Sequence, residues 1–169
     1  AIVIGLLGFS LSAFASPPSS DFAIRNGDRV VFYGDSITDT EWYPTLVETY
    51  VLTRYPSWRN HFANRGVSGD NSGSIARFQR DVIGQKADVC TYNMGYNDGG
   101  YGVLSSASLE RWVTNIEYSV KLAREANPKI RMILASPIPN EVMVSKEPRW
   151  VSREWYPYAL LSFGQEEAK

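Results

Sequence analysis

Arg29-Val30-Val31-Phe32-Tyr33-Gly34-Asp35-Ser36-Ile37-Thr38 is the stretch that decides the fold. A short apolar run stops at a glycine, and small polar residues follow. Such a run, bounded by a turn, suits a strand buried on both faces. Strands of that kind occur in parallel sheets that carry helices on each side.

The flanking sequence alternates in the way such a sheet requires. Pro44 fits the first turn of a helix, and Leu46, Val47, Tyr50 and Val51 repeat behind it at helical spacing until Pro56. His61–Asn64 is a weaker strand, followed by Gly66-Val67-Ser68-Gly69. Ile75, Phe78, Val82 and Ile83 form the stripe of a second helix that ends at Gly84. Asp88–Met94 reads as a strand closed by Gly95, and Ser108–Asn127 as a long helix stopped by Pro128. Ile130–Ala135 reads as a fourth strand. Together these predict a three-layer, flavodoxin-like α/β domain over residues 29–169, a parallel sheet with helices on both faces. Residues 140–169 carry no clear pattern.

At 169 residues the chain is one domain's worth. With 44% hydrophobic and 21% charged residues it is an ordinary globular composition. The net charge of -1 and the lack of a basic run argue against nucleic acid as a partner. One cysteine, Cys90, excludes an internal disulfide, and one histidine, His61, excludes a two-histidine metal site. No metal and no cofactor is expected. Residues 1–15 are uncharged and end in Ala13-Phe14-Ala15, which reads as part of a secretory signal peptide, too short to span a bilayer. Residues 16–28 are a polar entry segment. An exported protein, secreted or periplasmic and without a stable membrane anchor, is therefore expected; its oligomeric state is not readable.

In open α/β sheets ligands bind outside the carboxyl ends of the strands. Three segments fall there: Gly34–Thr38, Gly66–Asp70 and Gly95–Asp98. Ser36, just past a strand on a turn, fits either a nucleophile whose own N–H faces an oxyanion or a helix cap. Gly69 fits either a backbone donor or a plain loop glycine. Asn97 fits either an amide donor or, with Asp98, an Asx turn. Acyl transfer needs donors converging on one developing oxyanion from several directions. Three such segments at successive strand ends meet that need together.

On these residues the sequence resembles the SGNH hydrolases, the GDSL-type esterases and lipases. Gly34-Asp35-Ser36-Ile37-Thr38 matches their first block, Asn64–Asp70 the second, and Gly95-Tyr96-Asn97-Asp98 the third. The resemblance runs from about Asp28 to Ser136. It implies Ser36 as nucleophile and oxyanion donor, Gly69 as a second N–H donor and the Asn97 side chain as the third. It implies a small-molecule or glycan ester as substrate. The wording around Val30–Asp39 looks most like exported bacterial members, several of which act on acylated carbohydrates. The family's fourth block, D-x-x-H, has no match here, since no histidine follows His61 and no aspartate follows Asp98. His61 lies about four residues, or roughly 13 Å, below the strand end where Ser36 would sit. The expectation is therefore a base supplied beyond Lys169, in an enzyme of which this chain is the N-terminal part.

The alternative is a base-less binding module that holds an acylated glycan or a carboxylate. A nucleotide binder is disfavoured, because G-x-G-x-x-G and G-x-x-x-x-G-K-[ST] are both absent. Asp35 and Asp98 are candidates for substrate contact, and Asp35 equally for a structural hydrogen bond. Asp39, Glu41 and Asp70 read as solvated loop carboxylates, and Cys90 as a buried inert thiol. Trp42, Tyr43, Tyr96 and Tyr101 fit either a substrate-lining group or helix-to-sheet packing.

Overall fold

A computed structural model describes residues 22–101 and 105–137. The proposed signal segment 1–15 and the unread stretch 140–169 lie outside the described residues.

The elements run β1 (Arg29–Gly34), α1 (Ser36–Asp39), α2 (Trp42–Arg54), β2 (His61–Gly66), α3 (Ile75–Phe78), β3 (Val89–Asn93), α4 (Ser106–Ala126) and β4 (Arg131–Leu134). The strands form a parallel sheet in the order β2-β1-β3-β4 among the described residues. β1 is central, paired with β2 from Arg29↔His61 to Gly34↔Gly66 and with β3 from Val30↔Val89 to Gly34↔Asn93. The expected parallel α/β sheet is therefore present. Its centre is β1, whose apolar run is buried throughout from Val30 to Gly34.

Alternate residues of β1 feed two cores, as the pleat dictates. Val31 and Tyr33 join Cys90, Tyr92, Phe78 and Trp112 under α3 and α4. Val30, Phe32 and Val89 join Val51 of α2, with Ile24 and Phe22 of the entry segment packed alongside. Burying a side chain such as Phe32 or Val31 contributes about 1.5–3 kcal/mol. Among the described residues no helix is long and apolar enough to cross a membrane.

One local reading holds and another changes. α2 starts at Trp42, so Pro44 occupies its first turn as expected. The helix predicted over 75–83 is α3 followed by a π-helical turn, Gln79–Ile83. There Gly84 N–H donates to Gln79 O at 2.8 Å, five residues back. The added residue lets Phe78, Asp81 and Val82 all turn inward.

Candidate active site

The three rim segments lie at the carboxyl ends of three adjacent strands, β2, β1 and β3. β1 ends at Gly34, and the chain turns at once into α1. Asp35 is the N-cap of that turn: its Oδ1 accepts the Ile37 N–H at 2.9 Å. Ser36 is the first helical residue and is partly exposed. Neither its N–H nor its hydroxyl has a hydrogen-bond partner among the described residues.

The turn packs against the strand ends with no room to spare. A Cβ on Gly34 would stand 2.0 Å from Thr38 Oγ1 and 2.7 Å from Asn93 O. A Cβ on Gly66 would stand 2.1 Å from the Asp39 backbone nitrogen. Asn64, on β2, closes the join: its Nδ2 donates to Thr38 O at 2.8 Å while its Oδ1 accepts the Gly66 N–H at 2.8 Å. Below the turn, the Thr38 and Tyr43 hydroxyls meet at 2.9 Å and Tyr43 meets Thr91 at 3.3 Å. Burial raises the Tyr43 phenol above its ordinary value, so it stays neutral.

Gly69 is exposed in the loop after β2, at φ +80°, with nothing within 4 Å of a would-be Cβ. Only a left-handed position of this kind calls for glycine on conformational grounds. Asn97 lies in the loop after β3. Its Nδ2 donates to Asp70 O at 2.7 Å and faces Asp35 Oδ2 at 3.4 Å. The Tyr101 hydroxyl donates to Asn97 Oδ1, which holds the amide plane in one orientation. Asn97 thus touches the residue before Ser36 and the residue after Gly69.

The carboxylates here are engaged from within the protein. Asp35 is fully buried, and burial lifts its carboxyl to about 6, with Asp98 and Asp70 adding repulsion against the pull of the Ile37 N–H. Asp98 accepts the Ser72 N–H at 3.1 Å and the Ser72 hydroxyl, and Asn115 Nδ2 donates to Ser72 Oγ at 3.0 Å. Burial again raises the Asp98 carboxyl, opposed by the Ser72 bonds. Asp70 pairs with Arg77 and accepts from the Ser74 hydroxyl, so it is no solvated loop carboxylate. Among the described residues no cluster of three His, Cys, Asp or Glu could hold a metal ion.

His61 opens β2 at the opposite end of the sheet, five residues before Gly66 and about 16 Å below the rim. It is exposed and lies farther from Ser36 than its sequence position suggested. The rim aromatics split into two groups. Trp42 and Tyr43 line a cavity of about 670 Å³ together with Ser36, Ile37, Thr91 and Ile133. Tyr96 and Tyr101 pack edge to face at 5.9 Å on the Asn97 side. The sequence pattern had left Arg77, Ser72 and the orienting role of Tyr101 unmarked. Asn64 lay inside the quoted second block, but nothing in its type revealed that it clamps α1.

Residues 32–163 match the GDSL-like lipase/acylhydrolase family. An acetylxylan esterase of Geobacillus stearothermophilus is 31% identical over 91 residues, a match that covers 44% of this chain and 42% of that protein. The chain therefore spans less than half the length of that relative. A GDSL-like lipase of Bacteroides thetaiotaomicron superposes with a TM-score of 0.58 at 27% identity, over 83% of this chain and 62% of the other. A mutant of the Geobacillus acetylxylan esterase superposes with a TM-score of 0.62 over 87% of this chain and 76% of its own. At 23% identity that likeness concerns the fold alone. The four-stranded parallel sheet with its helices is the fold these hydrolases share, and the chain belongs to the GDSL-like lipase/acylhydrolase family.

Proposed function

We propose that this chain carries the nucleophile and the oxyanion donors of a serine esterase acting on small-molecule or glycan carboxylic esters. The observation that carries the reading is the state of Ser36. It sits on a turn at the end of the central strand, its N–H and hydroxyl unengaged among the described residues, between the Gly69 and Asn97 loops.

In this reading Ser36 Oγ attacks the ester carbonyl carbon. The Ser36 N–H, the Gly69 N–H and one Asn97 amide hydrogen receive the developing O⁻. Asn97 Nδ2 has two hydrogens: Asp70 O holds one firmly at 2.7 Å, and the other meets Asp35 only at 3.4 Å. The second is the one free to turn to an oxyanion. Asp35 and Asp98 then act on substrate indirectly, Asp35 by capping the Ser36 turn and Asp98 by holding Ser72.

A base must take the Ser36 proton and return it to the leaving alcohol, after which water releases the acyl group. His61 is at the wrong end of the sheet for this. We place the base C-terminal to Lys169, as the family's D-x-x-H block would supply it, in an exported protein. The acetylxylan esterase relative favours short acyl groups on carbohydrate as the substrate class.

The test is hydrolysis of 4-nitrophenyl acetate and acetylated xylooligosaccharides by the full-length protein, beside its Ser36→Ala variant. Turnover that falls at least a thousandfold in the variant supports the reading. A full-length protein that binds acetylated oligosaccharide yet turns over no ester would establish the binding module instead.

A further inference from the structure

Arg77, on α3, is a half-buried cation outside the three rim segments, its side chain 11% exposed. Its guanidinium reaches several parts of the chain at once. Nη2 donates to Gly34 O at 3.0 Å, and Nη1 donates to Arg65 O at 2.7 Å. Nε and Nη2 both engage the Asp70 carboxylate, and Asp81 Oδ2 lies 3.4 Å from Nη1. The guanidinium carbon stands 4.0 Å from the centre of the Tyr33 ring, a cation–π contact within a shielded site.

These partners define what the side chain does. Gly34 lies two residues before Ser36, and Asp70 directly follows Gly69. One rigid fork therefore joins the end of the strand that bears Ser36 to the loop that bears Gly69. Other hydrogen bonds also hold that loop, the Ser74 hydroxyl on the Asp70 carboxylate among them. Val67 N–H donates to the same Gly34 carbonyl at 3.1 Å, Asp70 N–H closes a turn on Val67 O at 3.2 Å, and Asn97 reaches Asp70 O. Gly69 itself touches nothing through a side chain.

We propose that Arg77 is a positioning residue: its guanidinium clamps the Gly69 loop onto the β1 end and so sets the spacing between the Ser36 and Gly69 backbone donors. The inference rests on the esterase reading. Geometry explains why arginine stands here. Lysine offers one compact ammonium, which cannot reach Gly34 O, Arg65 O and Asp70 Oδ2 together, as the three guanidinium nitrogens do. A clamp of this kind acts on the transition state, where donor spacing counts, and leaves ground-state substrate binding nearly untouched.

The test uses the full-length protein with Arg77→Lys, which keeps the charge and the stem beside Tyr33. Expected are a fall in kcat of about 30- to 100-fold with KM within threefold, and at least tenfold faster amide exchange across residues 66–70 with β3 unchanged. A folded Arg77→Lys protein with wild-type kcat, or with wild-type exchange across 66–70, overturns the proposal. If Arg77→Lys does not fold, Asp70→Asn removes the charge at the loop end of the clamp, together with the carboxylate that Ser74 meets, and is read by the same two criteria. If the wild-type protein hydrolyses no ester, the esterase reading fails by itself, and the exchange measurement still decides whether the clamp exists.

Discussion

Asn97 donates from Nδ2 to the main-chain oxygen of Asp70 across 2.7 Å, which ties the loop after β3 to the loop after β2. The bond spends one amide hydrogen on structure and leaves the other facing Asp35 at a long 3.4 Å. Truncation of the side chain therefore removes a loop tie and, on the proposed esterase reading, an oxyanion donor. Loss of one such donor costs roughly 3–4 kcal/mol of transition-state stabilisation, or two to three orders of magnitude in kcat. Asn97→Ala in the full-length protein is expected to show that loss with KM little changed. An equal rise in KM with kcat preserved would assign Asn97 to ground-state binding.

Asp35 makes stability depend on pH in a defined direction. Burial lifts its carboxyl from 3.8 to about 6, so between those values the native state holds a proton that the unfolded chain has released. Stability from this group is complete below pH 3.8 and falls as the pH rises to about 6. Ionised Asp35 then costs about 3 kcal/mol, at 1.36 kcal/mol per pKa unit. Asparagine caps a helix as well as aspartate does and carries no charge. Asp35→Asn is expected to match wild type in Tm near pH 4 and to exceed it by up to about 10 °C at pH 8. A difference that stays constant across pH 4–8 would show that Asp35 does not titrate there.

The two glycines of Asn64-Arg65-Gly66-Val67-Ser68-Gly69 look alike in sequence and are required for different reasons. At Gly66 a methyl group would lie 2.1 Å from the Asp39 backbone nitrogen, and backbone cannot step aside. At Gly69 the space is open, and only the φ of +80° resists a side chain. A non-glycine residue in the left-handed region costs about 1 kcal/mol. Gly66→Ala is expected to lower Tm sharply, by at least three times the change seen in Gly69→Ala, as thermal melts of the two variants would show. Equal shifts would mean that the α1 turn can move off β2.

That pair marks where sequence legibility stops. The strands could be read because β1 is one buried apolar run and because glycine or proline punctuates each element. The rim could be read because Ser36, Gly69 and Asn97 each follow a strand, so topology alone puts them at one end of the sheet. His61 opens β2 as read, but pairing with β1 carries the strand past Asn64 to Gly66 and so sets His61 farther from the rim. The π turn at Gln79–Ile83 was illegible because the apolar spacing of Ile75, Phe78 and Val82 is the same for an uninterrupted helix. Asp70 reads as a solvated loop carboxylate and Arg77 goes unmarked, since an isolated charge carries no mark of what will cover it. Only the meeting of β1, α3 and the 66–70 loop makes them a half-buried pair.

Asn64 offers a test of the join between the Ser36 turn and the sheet. Its amide donates to Thr38 O and its carbonyl accepts from Gly66 N–H, both at 2.8 Å. Alanine would strand one backbone acceptor and one donor in a partly buried seam, at about 1–3 kcal/mol each. Aspartate would keep the Gly66 bond and set a carboxylate against the Thr38 carbonyl. Asn64→Ala is expected to lose about 2–4 kcal/mol of unfolding free energy in urea titrations, and Asn64→Asp to lose more above pH 5 than below it. The pH dependence separates the two halves of the clamp, because protonated aspartate can again donate to Thr38 O. Wild-type stability of both variants at pH 7 would mean that the turn is held by the Gly34 and Gly66 contacts alone.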